Sequence, residues 1–180
     1  METAMKREFV ENIHYSDGVK LVSAAAIENW GFEHGFRFPN DFIDFFARFG
    51  GAVLDDDFGY EFTFEKDESP TFAEITRFLH FDPDVVRNSV EDQYTLRCTD
   101  HWDQPLLVPF ADTEINTFAV LDFRKSRRAP AIYNVDFFDT SKDDPERPNM
   151  TWLADSFTEF LDLLEPYDSF LTRYGRVKYS

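Results

Sequence analysis

From Ser16 to Phe49 the apolar positions recur at the three- and four-residue spacing of helices. Leu21, Ala24, Ala25, Ile27 and Trp30 predict one loose apolar face that ends at Gly31. A second helix is expected from Pro39, a residue at home in a first helical turn because the N–H it lacks would go unpaired there. Phe42, Phe45, Phe46 and Phe49 then fall on one face, and Gly50-Gly51 supplies the positive φ of a C-terminal cap.

After Gly51 the period changes. Tyr60, Phe62 and Phe64 alternate with Glu61, Thr63 and Glu65, as a half-buried strand requires. Phe72 to Phe81 is compatible with either a strand or a short helix. Asp84 to Tyr94 reads as a short helix opened by Pro83, with Val85, Val86 and Val90 inward. Strands are expected over Leu106 to Phe110, Thr117 to Phe123, and Ala131 to Val135 with Phe137 and Phe138 beyond. Ala111 to Asn116 and Arg124 to Pro130 have the length of hairpin links. The polar stretch Asp139 to Asn149, with two prolines, reads as a loop.

Ser156 and Glu159 have the spacing of a capping box, and Phe157, Phe160, Leu161 and Leu164 line the helix behind it up to Pro166. The order predicts an α+β fold. N-terminal helices precede a central antiparallel sheet of about five to six strands, and a C-terminal helix packs on that sheet. One domain is expected over 1–180, with its core at about 16–165 and a tail over 167–180 whose basic residues Arg173, Arg176 and Lys178 could fray, pack down or pair with the acidic body.

Composition sharpens this picture in two ways. Twenty-two of the 180 residues are phenylalanine, so aromatic clusters dominate the material available for a core. Acidic side chains outnumber basic ones 35 to 18, a formal net charge of -17. Such a field repels nucleic acid and anionic membrane surfaces and speeds encounter with a basic protein. It also serves solubility alone. The single cysteine, Cys98, allows no internal disulfide, and no stretch has the apolar length of a signal peptide or membrane span, so a cytoplasmic protein is expected.

Catalytic constellations are absent from the sequence pattern. His14, His34, His80 and His101 show no zinc spacing, and neither a phosphate loop nor a nucleophile elbow is present. Cys98, His101 and Asp103 could form a thiol–imidazole pair, but a polar loop with a buried thiol is the simpler reading. Asp55-Asp56-Asp57 with Gly59 misses the calcium-loop register, because Leu54 and Phe58 would fall on ligand positions. No catalytic, metal or cofactor residue is expected. For a basic protein partner the candidate contacts are Asp55, Asp56, Asp57, Asp82, Asp84, Glu91, Asp92, Asp100 and Asp103. Trp102 is either a loop tryptophan folded inward or a binding anchor.

Three segments in order resemble the SUKH superfamily, whose founding members are the fungal Smi and Knr cell-wall regulators. They are Phe38 to Gly51 (FPNDFIDFFARFGG), Leu106 to Val135 with its Pro109-Phe110-Ala111-Asp112 turn, and Leu153 to Leu164 (LADSFTEFLDLL). The resemblance implies a non-catalytic binding domain. Many bacterial members are immunity proteins that occlude the active site of a nuclease- or deaminase-type toxin, and others serve as regulatory scaffolds. The partner expected here is therefore a cognate toxin protein with a basic surface, bound by a monomer. The scaffold is the alternative.

Overall fold

A computed structural model describes residues 13–15, 18–54, 57–64, 69–141 and 143–175. Helix α1, Ala24–Glu33, starts where Ser23 Oγ accepts from Ala26 N at 3.2 Å. Its buried stripe is narrower than expected. Ile27 and Gly31 are buried and Trp30 partly so, while Leu21, Ala24 and Ala25 face outward. Gly31 does not end the helix. It makes room for Phe38, whose Cδ2 would lie 3.1 Å from an added Cβ.

Helix α2, Asn40–Phe49, follows with Pro39 as an extended N-cap rather than inside the first turn. Phe42 and Phe46 stack at 4.3 Å between centroids, both meet Phe110 edge-on, and Phe42 also meets Phe157 edge-on. The positive φ at its end belongs to Gly51 (+83°), not Gly50.

Among the described residues the sheet has nine strands, more than the sequence pattern predicts, because several are only two or three residues long. They are β1 (Ile13–Tyr15), β2 (Ala52–Leu54), β3 (Phe58–Phe62), β4 (Thr71–Phe78), β5 (Leu107–Thr113), β6 (Phe118–Asp122), β7 (Ala131–Thr140), β8 (Pro148–Ala154) and β9 (Glu165–Pro166). All strand pairs are antiparallel. Strands β2 and β3 line one edge of β4 in succession, β1 and β9 flank them, and the other edge of β4 leads through β5, β6 and β7 to β8. The sheet coils strongly enough for its far strands to meet. Tyr60 of β3 donates its hydroxyl to Asn134 Oδ1 of β7 at 2.8 Å, and Thr151 Oγ1 of β8 donates to Thr63 O at 3.0 Å.

Phe72 to Phe81 resolves as strand β4. The supposed loop at Asp139 to Asn149 instead holds the end of β7 and the start of β8. Pro148 can open β8 because a first strand residue need not donate to the ladder. Strand β5 likewise runs on to Thr113. The turn shrinks to the residues before Thr117, where Asn116 has φ +61°.

After the short helix α3 (Val90–Gln93), helix α4 (Phe157–Leu163) packs Phe157 and Phe160 onto Phe110 at 5.6 and 5.3 Å. Ser156 Oγ accepts from Glu159 N as the capping box requires. Glu159 reaches one residue further back than expected, to Asp155 N. Asp41 Oδ2 ties α2 to α4 by accepting from Thr158 N and Oγ1.

A further helix, α5 (Tyr167–Tyr174), covers the other face of the sheet. Phe72 and Glu61 alternate away from Ala73 and Tyr60, and they meet Phe170, Tyr174 and Arg173. Arg173 bridges Glu61 and Glu165, so this part of the basic tail does pair with the acidic body. Arg176 and Lys178 lie outside the described residues.

Candidate protein-binding surface

Seven of the ten expected contact residues lie on one connection, residues 79–106, between β4 and β5. Its course differs from the expected helix over Asp84 to Tyr94. Asp82 Oδ1 accepts from Asp84 N at 3.0 Å, which makes a tight turn around Pro83, and Asn88 sits at φ +63°. Neither geometry continues a helix. Helix α3 begins only at Val90–Gln93, capped by Ser89 Oγ, and passes directly into a π-helical turn at Tyr94–Thr99. Val90 is buried, but Val86 is 71% exposed rather than inward.

The candidate acids divide by environment. Asp82 is a clamp: its Oδ2 accepts from Lys20 N at 2.9 Å and its residue is 3% exposed. The Lys20 N–H, then that of Asp84, holds its carboxyl below the usual aspartate range. Asp84 is exposed and pairs loosely with Lys20 at 3.3 Å. Glu91, also exposed, accepts from Trp30 Nε1 at 2.7 Å and lies 3.3 Å from His34 Nε2, which fastens α3 to α1. Asp92 is half-buried beside Gln93. Asp100 and Asp103 are exposed past the π turn.

Between them Trp102 is folded partly inward, its Nε1 donating to Phe137 O at 3.0 Å and its ring packed against the core. Leu96, about half exposed, lies on the same connection.

Asp57 stands apart from this group, at the junction of β2 and β3, where its carbonyl accepts from Tyr167 N. Asp55 and Asp56 lie outside the described residues. Asp57 does shape the field nearby. Burial, then Glu114 and Asp57, pushes the carboxyl of Glu74 up to about 6.

A raised folded-state value means that the folded chain holds a proton the unfolded chain has lost between about pH 4.5 and 6. Stability from this group therefore falls as pH rises through that window and stays lower above it. Glu74→Gln is expected to flatten the slope and to raise the urea midpoint above pH 6. An unchanged midpoint profile in the variant would count against this assignment.

The thiol–imidazole alternative has no support in the geometry. Cys98 is fully buried, burial pushes its thiol up, and His101 lies exposed with its ring edge-on to Trp102. Among the described residues no three His, Cys, Asp or Glu side chains gather as a metal site would require, and no helix is long and apolar enough to cross a membrane.

Sequence reasoning missed a basic cleft bordering the same connection, formed by Arg77, His80 and Arg87 with Val19 and Gly51. These residues are scattered, and nothing in their spacing marks them as a group.

No curated protein and no solved structure matches the chain. The model of the SMI1 / KNR4 family (SUKH-1) matches residues 21–163. That span takes in both packed N-terminal helices, the β4–β5 connection, strands β2 to β8 and helix α4. With most of its length and almost all of its core inside the match, the chain belongs to the SMI1 / KNR4 family (SUKH-1).

Proposed function

We propose that this chain is a non-catalytic immunity protein of the cytoplasm that binds a cognate toxin domain and occludes its active site. Family membership supports a binding role, and it is equally compatible with a regulatory scaffold. The observation that favours a toxin with a basic groove is charge. A chain of net charge -17 carries Asp84, Glu91, Asp100 and Asp103 exposed along one connection. A nuclease or deaminase that holds phosphate presents Lys and Arg, and acids so arranged steer toward them and compete for them.

Asp92 adds a half-buried acid to the same connection, and Asp82 acts by holding the turn that presents Asp84. Trp102, partly exposed, and Leu96, half exposed on the same connection, would supply apolar area inside a charged rim. The scaffold reading predicts a resident partner instead.

Replacing Asp84, Asp100 and Asp103 together by lysine is expected to slow association with the toxin at least about tenfold while changing dissociation much less. Stopped-flow association at two salt concentrations measures this. Equal rates for wild type and variant would remove the acidic connection from the account. Rescue separates the two readings: co-expression should protect cells from one toxin for an immunity protein and from none for a scaffold.

A further inference from the structure

A cleft of about 360 Å³ opens where β2 meets the end of β4, walled by Val19, Gly51, Arg77, Phe78, His80 and Arg87. Its walls are fixed by short-range geometry. His80 Nδ1 accepts from Asp82 N at 3.2 Å, so Nε2 carries the hydrogen and donates to Arg87 O at 3.0 Å. Val90 N donates to His80 O at 2.9 Å, locking the loop over the strand end. Gly51 keeps the floor open, because a Cβ there would sit 2.7 Å from Val19 Cγ1 and 3.2 Å from His80 Cβ.

What this frame presents is two arginines without an ion pair among the described residues. The Nε of Arg77 is buried and has no hydrogen-bond partner among the described residues. Asp112, across the ladder on β5, feels the charge of Arg77 but forms no ion pair with it among the described residues. Arg87 is exposed at the rim, and no described carboxylate lies within ion-pair distance of it. The nearest acids in sequence are turned elsewhere, Asp82 to the backbone of Lys20 and Asp84, and Asp84 to Lys20 Nζ.

A buried guanidinium N–H without a partner is rare in native proteins, and a bound ligand or ordered water is one explanation for it. In a chain this acidic, two arginines without an ion pair at one cleft are a local exception to its field. The fork of a guanidinium matches a carboxylate or phosphate oxygen pair.

We propose that this cleft is an oxyanion site in which Arg77 and Arg87 grip a carboxylate or phosphate group. The apolar wall of Val19 and Phe78 admits the carbon frame of a small ligand or of one acidic side chain. The site stands independently of the toxin-binding reading.

Side-chain Nε–H spectra of the arginines in the full-length protein test it. The protein is titrated separately with sodium phosphate and with sodium succinate at ionic strength held constant by sodium chloride. The Arg77 signal, identified by its loss in Arg77→Gln, is expected to shift saturably with at least one anion. Saturation by succinate alone assigns a carboxylate ligand, by phosphate alone a phosphorylated one, and by both a general oxyanion site.

Arg77→Lys keeps the charge but loses the fork, and Arg87→Ala changes an exposed residue. Read from the Arg87 signal in Arg77→Lys and from the Arg77 signal in Arg87→Ala, binding is expected to weaken about tenfold or more in each. No saturable shift with either anion, or unchanged affinity in both variants, overturns the proposal.

Discussion

Adding one methyl group at Gly59 is expected to destabilise the protein by more than about 4 kcal/mol or to prevent folding. Gly59 pairs with Glu74 of β4 on one side and Glu165 of β9 on the other. A Cβ there would lie 2.0 Å from Ala73 O and 2.8 Å from Glu74 Cα. Both obstacles are backbone, held in place by the ladder, so no side chain can rotate away. The strand pair must open instead, and Tyr60 one residue on would lose its approach to Asn134 across the coiled sheet. Gly18→Ala provides the contrast. That residue has φ +87° and nothing within 4 Å of an added Cβ, so only backbone strain of about 1–2 kcal/mol is expected. Urea denaturation of the two variants should separate them widely. Similar midpoints would show that the β3–β4 approach is looser than described.

Phe46→Ala is expected to cost about 3–5 kcal/mol, a large share of the roughly 5–15 kcal/mol that holds an ordinary domain folded. Phe46 is 1% exposed and stands where the helices meet the sheet. Its ring lies 4.3 Å from Phe42, 6.0 Å from Phe78, 6.1 Å from Phe110 and 6.1 Å from Phe157, centroid to centroid. These neighbours come from α2, β4, β5 and α4, so none can move inward to fill the cavity without disturbing another contact. Leu96→Ala, at a residue half exposed on the π turn, should stay within about 0.5 kcal/mol. Equal losses at the two sites would mean that the aromatic cluster is not the core.

That cluster was legible in the sequence because its residues obey simple periods. Phe42 and Phe46 repeat at four residues, Tyr60 and Phe62 at two, and each period names a face. Strand β8 was not legible. Pro148, Asn149 and Met150 are buried in succession, and pairing with β7 skips register between Asp136 and Thr140, so no alternation survives for a sequence pattern to reveal. Helix α5 was hidden for another reason. Phe170 is its only buried residue, and it is matched to a second sheet face that the alternation of β4 did not disclose in advance.

Of the candidate surface, the sequence carried the charge and little of the geometry. Charge is the argument for a basic partner, and most of the acids chosen share one connection. With 35 acids in the chain, charge alone could not tell that Asp82 turns inward while Asp84, two residues later, turns out. That difference rests on the backbone N–H groups of Lys20 and Asp84, and Lys20 is 62 residues away in sequence. The cleft was wholly hidden, since Gly51, Arg77 and Arg87 become neighbours only when β2 is laid against β4.

The central claim, that the acidic surface of this chain captures and neutralises a basic toxin domain, meets its most direct test in a pull-down with the full chain, eluted along a salt gradient. The captured polypeptide is then expressed with and without the chain. The account predicts a stoichiometric partner with a basic domain that elutes as salt shortens the screening length below about 8 Å, is toxic alone, and is harmless when co-expressed. A stoichiometric partner that is harmless by itself, or whose toxicity the chain leaves untouched, would contradict it.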